Sequence, residues 1–111
     1  MGIKNYTINS QGEIDVDDCV SLRVKDFKEL PYKFGTVNGY FSLDGCNNLI
    51  SLKNCPDKIE NSFYCNDCSQ LVSLEGCPKE VGENFIIRRS KKITQTEIRQ
   101  KCKEGEKIEI Q

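Results

Sequence analysis

The cysteines are the residues of this sequence whose type and spacing could do chemistry. There are seven of them among 111 residues, and Cys65-x-x-Cys68 has the spacing of a zinc knuckle or of a thiol redox pair. The sequence contains no histidine, which excludes a histidine general base, Ser–His and Cys–His nucleophilic pairs, and histidine-ligated metal sites. Three uses of the cysteines remain open: an extracellular disulfide framework, a metal site, or small apolar side chains in a core.

The first residues of the chain bear on the disulfide alternative. Residues 1–6 (MGIKNY) include polar and charged side chains and contain no apolar stretch of the kind that a secretory signal requires. No apolar run approaches the roughly 18 residues of a membrane span. An odd number of cysteines also argues against complete pairing. The sequence therefore predicts a cytoplasmic protein without a membrane partner.

A repeat with a period of roughly 22 residues organises the middle of the chain. Residues 41–56 (FSLDGCNNLISLKNCP) recur as residues 63–78 (FYCNDCSQLVSLEGCP), a third copy begins at Phe85, and an earlier one begins at Val20. Each copy starts with alternating apolar residues, which is typical of a short strand. It continues with an apolar residue at every third position, which is typical of a bent, turn-rich path. Each unit has one apolar edge, and stacking the units buries these edges in one continuous core.

The fold predicted from this repeat is mainly β: a small solenoid of short parallel strands, forming a single domain over residues 1–111. The repeats occupy residues 20–93 as about four copies, residues 1–19 form an N-terminal cap, and residues 94–111 form a C-terminal cap. Polar caps are needed because the terminal coils would otherwise expose their apolar edges.

Each cap has its own pattern. Two alternating stretches within residues 6–16 flank the turn sequence Asn-Ser-Gln-Gly, which predicts a β-hairpin. Residues 94–97 (TQTE) form a capping box that predicts a short helix ending at about Cys102. Residues 107–110 (KIEI) alternate and predict a final strand.

The repeat gives the cysteines a structural explanation. Cys65 occupies the position that Leu43 and Ile87 fill in neighbouring copies, and a position shared by Leu, Cys and Ile is a packing position. Two further pairs lie one period apart, namely Cys46 with Cys68 and Cys55 with Cys77. We therefore interpret these cysteines as core residues and expect no metal and no cofactor. A zinc site or an unusual disulfide is the alternative, since stacked positions lie one strand spacing, roughly 4.8 Å, apart.

The repeat resembles the leucine-rich repeat in its cysteine-containing form, L-x-x-L-x-L-x-x-C-x-x-L. It is similar above all to short leucine-rich-repeat proteins of tailed bacteriophages, whose units read roughly L-x-S-L-E-G-C-P-K-x-V-G-x-x-F. Residues 71–85 (LVSLEGCPKEVGENF) carry nearly all of this pattern, whereas the copy that starts at Leu49 departs from it at residues 53–54 and 57–58. The resemblance covers about residues 20–93 and implies a leucine-rich-repeat solenoid in the cytoplasm of a host bacterium. It also implies a phage accessory protein that inhibits a host protein, such as a defence nuclease, in the manner of an anti-CRISPR protein.

Charge is nearly balanced over the chain but unevenly distributed along it. The 16 basic and 17 acidic side chains give a formal net charge of -1, which provides no global attraction to nucleic acid or to an anionic membrane. Acidic residues predominate in residues 13–29. A basic segment follows the last repeat strand and contains Arg88, Arg89, Lys91, Lys92, Arg99, Lys101 and Lys103. This segment could contact an acidic protein, nucleic acid or only solvent, and its lack of interleaved aromatic residues argues against stacking on single strands.

Alternation along the strands predicts which residues point away from the core. The outward residues stack into two columns, with Ser21, Ser42, Tyr64 and Ile86 in the first and Arg23, Asp44, Asn66 and Arg88 in the second. We expect Tyr64 and Ile86 to be exposed apolar neighbours with Arg88 beside them, which is the composition of an interface hot spot. The predicted partner-binding residues are Ser42, Asp44, Tyr64, Asn66, Ile86, Arg88 and Arg89.

The function predicted from these patterns is a protein-binding module without catalytic residues. The expected partner is a protein, and a host protein if the resemblance holds. The alternative is a regulator that binds or mimics nucleic acid through the charged flanks of the chain. The oligomeric state is open, because a strand at the edge of a solenoid can also mediate self-association.

Overall fold

The computed structural model describes residues 5–22 and 26–89 and the backbone of residues 107–110. Within these residues the strands are β1 Tyr6–Ile8, β2 Ile14–Val16, β3 Val20–Ser21, β4 Phe34–Val37, β5 Phe41–Ser42, β6 Lys58–Ile59, β7 Phe63–Asn66, β8 Glu80–Val81, β9 Asn84–Arg88 and β10 Lys107–Ile110. The predicted mainly β fold is confirmed, and the residues described form a small solenoid of about 3 turns without a helix. No helix long and apolar enough to cross a membrane is therefore found in these ranges.

One sheet carries the sequence repeat, and we call it the aromatic sheet. Its strand order is β10-β9-β7-β5-β3, and all neighbouring strands are parallel. The register aligns Val20, Phe41, Phe63 and Phe85. The residues that begin successive copies of the sequence repeat are therefore paired side by side, as the repeat predicts.

A second sheet, which we call the hairpin sheet, has the order β1-β2-β4-β6-β8. β1 and β2 pair antiparallel around a turn closed by the Gly12 N–H, which donates to the Asn9 carbonyl at 3.0 Å, so the predicted hairpin is confirmed. β2 also pairs in parallel with β4, which makes the hairpin the first layer of this sheet as well as its cap. The apolar spacing does not predict the hairpin sheet, because β6 and β8 are two residues long and bury one residue each, Ile59 and Val81.

The return path of each coil is a series of turns with a buried residue at every third position, as predicted. In one coil these buried residues are Cys46, Leu49, Leu52 and Cys55. Backbone hydrogen bonds also join the return paths of neighbouring coils. The Ile50 N–H donates to the Lys28 carbonyl at 2.8 Å, and the N–H groups of Val72 and Ser73 donate to the Ile50 carbonyl at 3.0 and 3.2 Å. Backbone hydrogen bonds therefore link the coils on three sides, which satisfies polar groups that a narrow solenoid would otherwise leave unpaired.

Two residues with left-handed backbone bend each coil. The first follows the strand of the aromatic sheet and is Gly45 (φ 76°), Asp67 (φ 61°) or Arg89 (φ 56°), at the same position of successive coils. The second precedes the buried Cys-Pro pair or its equivalent and is Asn54 (φ 75°) or Gly76 (φ 85°). Asparagine tolerates this conformation better than most residues. The Asn54 side chain also donates to the Leu30 carbonyl at 2.8 Å, so the departure from the repeat at residues 53–54 preserves the turn.

A column of phenylalanines runs through the core and joins the two sheets. The rings of Phe41 and Phe63 are nearly parallel, with centroids 6.3 Å apart, and those of Phe63 and Phe85 are 4.9 Å apart. Phe34 of the hairpin sheet meets Phe41 edge-on at 5.2 Å. All four rings are fully buried.

The C-terminal cap is described only in its last strand. β10 pairs in parallel with β9, with Ile108 aligned to Phe85, which confirms the strand predicted for residues 107–110. The helix predicted between residue 94 and Cys102 lies outside the described residues, as does the end of the fourth repeat.

Because Phe63 has an aromatic neighbour on both sides in the column, Phe63→Ala should lower the free energy of unfolding by about 3–5 kcal/mol. Urea denaturation monitored by circular dichroism measures this change. The matched control is Tyr32→Ala, since that ring is 59% exposed and its loss should change stability by no more than about 0.5 kcal/mol. Equal losses in both variants would contradict the central position of the phenylalanine column.

Candidate functional site

The cysteines of the repeat lie in the core or against it, as the repeat predicts. Cys46, Cys55, Cys65 and Cys68 are buried among the apolar side chains, and Cys77 packs against them. The six cysteines that the structure describes form no disulfide with one another. Across the described ranges, no group of three Cys, Asp or Glu side chains is placed to hold a metal ion. Packing in the core therefore explains the presence of the cysteines that lie at repeat positions.

The buried thiols also satisfy backbone groups. The Cys46 thiol donates to the Leu22 carbonyl at 3.0 Å and the Cys68 thiol donates to the Leu43 carbonyl at 3.2 Å, so each bridges to the preceding coil. The Cys65 thiol donates to the Cys68 sulfur at 3.0 Å. Cysteine thus serves here as a small apolar residue with a weak donor.

Burial and a thiol–thiol hydrogen bond raise the pKa of two of these thiols. The pKa of Cys55 is raised well above 9.0, chiefly because the side chain is removed from water, with the neighbouring Cys77 adding to the effect. The pKa of Cys65 is raised well above the same value, first by its hydrogen bond with Cys68 and then by burial. Since the thiolate is the nucleophile, both thiols are poorly suited to nucleophilic chemistry at neutral pH.

Cys19 differs from the thiols of the repeat. It is exposed in the segment between β2 and β3, and its sulfur accepts the Tyr40 N–H at 3.4 Å. Gly39 packs closely against Cys19, because a Cβ atom on that glycine would lie 2.7 Å from the Cys19 sulfur. Cys102 lies outside the described residues.

The predicted first column is present on the outer face of the aromatic sheet. Ser21, Ser42, Tyr64 and Ile86 are aligned across β3, β5, β7 and β9. In the second column Asn66 is aligned with Arg88, and the Asn66 N–H donates to Asp44 Oδ1 at 2.9 Å. Arg23, the first member predicted for that column, lies outside the described residues.

Two residues of the first column are less exposed than predicted. Ile86 lies outside the core cluster but is only 8% exposed, because β9 is a central strand with β7 on one side and β10 on the other. Ser42 is 4% exposed, because its small side chain lies beside the much larger Tyr64. The prediction that Tyr64 and Ile86 form an exposed apolar pair is therefore wrong for Ile86, while Tyr64 is partly exposed.

A groove of about 340 Å³ follows the two columns, and we call it the tyrosine groove. It is lined by Ser21, Tyr40, Ser42, Asp44, Tyr64 and Asn66. The rings of Tyr40 and Tyr64 meet edge to face, with centroids 6.1 Å apart and planes at 71°. Four of the predicted partner-binding residues, namely Ser42, Asp44, Tyr64 and Asn66, are thus brought together in one concave surface.

Tyr40 is the groove residue that the sequence patterns miss. It precedes Phe41, outside the alternating apolar positions used to define the columns. The residues that precede the corresponding strand positions in other copies are Cys19, Ser62 and Asn84. A tyrosine among these small or polar residues is the signal that could have identified it.

Arg88 and Arg89 lie beyond the tyrosine groove. Arg88 is half-buried, whereas Arg89 is exposed and forms a bidentate ion pair with Asp67, with one contact at 3.1 Å. The hydrogen bond from Arg89 lowers the pKa of Asp67, and the same bond raises the pKa of Arg89. The start of the predicted basic segment is thus partly neutralised, and Lys91 to Lys103 lie outside the described residues.

A second groove, of about 310 Å³, lies on the hairpin sheet. Its lining residues are Asn5, Thr7, Asp15, Val16, Asp17, Thr36 and Asn38. Asp15 Oδ1 accepts the Thr36 N–H at 2.9 Å, and Asp17 Oδ1 accepts a hydrogen bond from the Asn38 side chain at 3.2 Å. These two carboxylates therefore connect the hairpin to the next coil, which gives part of the acidic N-terminal region a structural role.

Neither the protein-family models, nor the curated proteins, nor the solved structures gave a match to this chain. The similarity to phage leucine-rich-repeat proteins therefore stays a prediction that rests on the residues quoted for it. The geometry itself defines a β-solenoid with a tyrosine-lined groove on the outer face of its aromatic sheet.

The raised thiol pKa values predict how stability depends on pH. Cys55 and Cys65 remain protonated in the folded protein after they ionise in the unfolded chain, so their contribution is complete below pH 9 and is lost as the pH rises further. Above that pH the free energy of unfolding should fall by up to about 1.4 kcal/mol per pH unit for each thiol. Urea titrations between pH 7 and pH 10.5 (roughly the range that brackets the thiol pKa) measure the slope.

Two variants isolate the thiol contribution from the titration of lysine and tyrosine. Cys55→Val combined with Cys65→Val should flatten the alkaline decline, because valine fills similar positions without ionising. Cys19→Ala is the matched control and should keep the full decline, since that thiol is exposed. An alkaline slope that the double variant leaves unchanged would show that the buried thiols do not cause it.

Proposed function

We propose that this protein is a non-enzymatic protein-binding module whose contact surface is the outer face of the aromatic sheet. The observation that carries the proposal is the tyrosine groove, in which residues of the predicted columns lie together with two tyrosines whose rings meet edge to face. Tyrosine is enriched at interface hot spots, because it offers a large rigid ring and a polar hydroxyl. A groove flanked by such rings suits an extended segment or a projecting side chain of another protein.

The chemistry of the groove favours binding over catalysis. Asp44 is the only carboxylate among the described lining residues and is occupied in accepting the Asn66 N–H, and the other lining side chains are neutral hydroxyls and an amide. The thiols with raised pKa, Cys55 and Cys65, lie in the core and not on this surface. These features support a surface that recognises a partner and does not transform it.

The proposed partner is a host protein in a bacterial cytoplasm, and inhibition of a defence enzyme such as a nuclease is the proposed outcome. This part of the proposal is supported by the similarity of residues 71–85 to the repeat unit of phage leucine-rich-repeat proteins. A solenoid is well suited to such a role, because its repeated strands present a continuous surface without a catalytic cleft.

Binding to nucleic acid is less well supported by the described residues. Asp44 would repel a phosphate in the groove, and the Arg89 guanidinium is already engaged by Asp67. The bacterial lysate used for capture should therefore be treated with nuclease, and retention of DNA or RNA that declines steeply with salt would favour the alternative.

Combined substitution of Tyr40→Ala and Tyr64→Ala should weaken capture of the partner at least about tenfold, since two ring contacts at the centre of the surface are lost. Immobilised protein is exposed to bacterial lysate, and the retained proteins are quantified by mass spectrometry. Tyr32→Ala is the matched control, because Tyr32 is exposed but does not line the groove.

A set of proteins retained by the parent chain and by the Tyr32→Ala variant, but lost from the double variant, is the expected result. If the double variant retains the same proteins at the same level while its circular dichroism is unchanged, the outer face of the aromatic sheet is not the contact surface.

A further inference from the structure

We infer that the tyrosine groove binds a cationic side chain of the partner protein, and an arginine in particular. This inference rests on the proposed function, because it assigns the chemistry of the group that the partner inserts. It follows from the charge of the groove, from the arrangement of its two aromatic rings, and from the positions of the two arginines that the structure describes.

The groove carries one negative charge and no positive charge among its described lining residues. Asp44 is half-buried, and its orientation is fixed because its Oδ1 accepts the Asn66 N–H at 2.9 Å. The Asp44 N–H in turn donates to the Ser42 hydroxyl at 3.4 Å. The carboxylate is therefore held in a defined direction by the backbone of the next coil, and a cation entering the groove balances its charge.

The two rings provide a second attraction for a cation. Tyr40 and Tyr64 meet at 71° with centroids 6.1 Å apart, so the two rings form a corner and not a flat stack. The face of an aromatic ring is electronegative, and a guanidinium or ammonium within about 6 Å of the centroid is attracted to it. The carboxylate and the electronegative ring faces in this groove therefore both attract a cation.

Arg88 and Arg89, the arginines within the described ranges, do not occupy this groove. Arg89 lies within electrostatic range of Asp44, but its guanidinium pairs with Asp67 through two hydrogen bonds. Arg88 is aligned with Asn66 in the second column, one strand further along the sheet, and is not a lining residue of the groove. Neither of these two described arginines therefore supplies the cation that would complement the groove.

Arginine fits this arrangement better than lysine. A planar guanidinium can stack on one ring and donate several hydrogen bonds from its edge, whereas an ammonium is a compact and strongly hydrated point charge. The edge of a stacked guanidinium would meet acceptors from two neighbouring coils, namely the Asp44 carboxylate and the Ser21 hydroxyl. The groove thus offers both a face and a set of acceptors that match one arginine side chain.

Nuclear magnetic resonance titration of the full-length ¹⁵N-labelled protein with blocked tripeptides tests the inference directly. The probes are acetyl-Gly-Arg-Gly-amide, its citrulline counterpart of nearly identical shape without charge, the lysine counterpart and the glutamate counterpart. We expect the arginine peptide to shift the amide signals of Tyr40, Ser42, Asp44 and Tyr64. The citrulline peptide should bind at least about threefold more weakly, because it loses both the cation–π and the ion-pair attraction.

Variants of the protein assign the two attractions. Asp44→Asn should weaken the arginine peptide about two- to fivefold, while its side-chain oxygen can still accept the Asn66 N–H. Tyr64→Phe should bind nearly as well as the parent, whereas Tyr64→Ala should bind about two- to fivefold more weakly. Glu29→Gln, which changes an exposed carboxylate outside the groove, is the control for net charge and should have no effect.

Three results would overturn the inference: equal affinity for the arginine and citrulline peptides, binding of the glutamate peptide in preference to both, or absence of shifts in the groove with every peptide. Each variant's own spectrum verifies its fold before titration. The peptide result decides the chemistry of the groove, and the capture experiment with the double tyrosine variant decides the proposed function. Loss of capture without arginine selectivity would reject the cationic occupant alone, and arginine selectivity with unchanged capture would reject the proposed contact surface alone.

Discussion

The register between successive coils is the constraint on which this structure depends. A single coil has too few apolar residues to exclude water, so its strip of buried side chains must align with the strips above and below it. Parallel backbone pairing holds Phe63 between Phe41 and Phe85, which lie one sequence period before and after it. Because side chains alternate across a strand, a slip of one residue would turn Phe63 outward and Tyr64 inward. The same alignment therefore determines which side chains form the core and which form the outer columns.

The parts of the fold that could be predicted are those in which side-chain type and position repeat together. The regular spacing of Phe41, Phe63 and Phe85 predicts the aromatic sheet, and the alternation around residues 9–12 predicts the hairpin. The hairpin sheet escapes prediction, because strands of two residues, such as Lys58–Ile59, have no period to detect. At the site, alternation within the repeat positions identifies Tyr64, whereas Tyr40 lies on the same outer face as Ser42 but one residue before the position at which each copy begins. Nor can alternation reveal that β10 flanks β9 and so limits the exposure of Ile86.

The alignment of the coils also explains the structural role of the cysteines. A chain with seven thiols and no histidine has the composition of a metal or redox protein, yet Cys46, Cys55, Cys65 and Cys68 are buried in a stacked core, and Cys65 takes a position that leucine and isoleucine fill in neighbouring copies. There the sulfur atoms also donate to carbonyl groups of the preceding coil, which an aliphatic side chain could not do. Cysteine thus combines small volume with a weak donor where the coils are too narrow for larger polar side chains. The polar and aromatic groups that can recognise a partner therefore lie on the outer face of the same strands.

At the left-handed corner after each strand of the aromatic sheet, residues with different side chains adopt the same backbone conformation. Gly45, Asp67 and Arg89 share one conformation although they differ in size and charge. Adopting it costs a residue other than glycine on the order of 1 kcal/mol, and at Asp67 and Arg89 the side chains projecting from the corner are exposed to solvent. Mutation at this corner can therefore change the charge beside the groove at little expense to the core. Over evolutionary time, substitutions at these positions would change which partners the protein binds without changing the core residues that determine its fold.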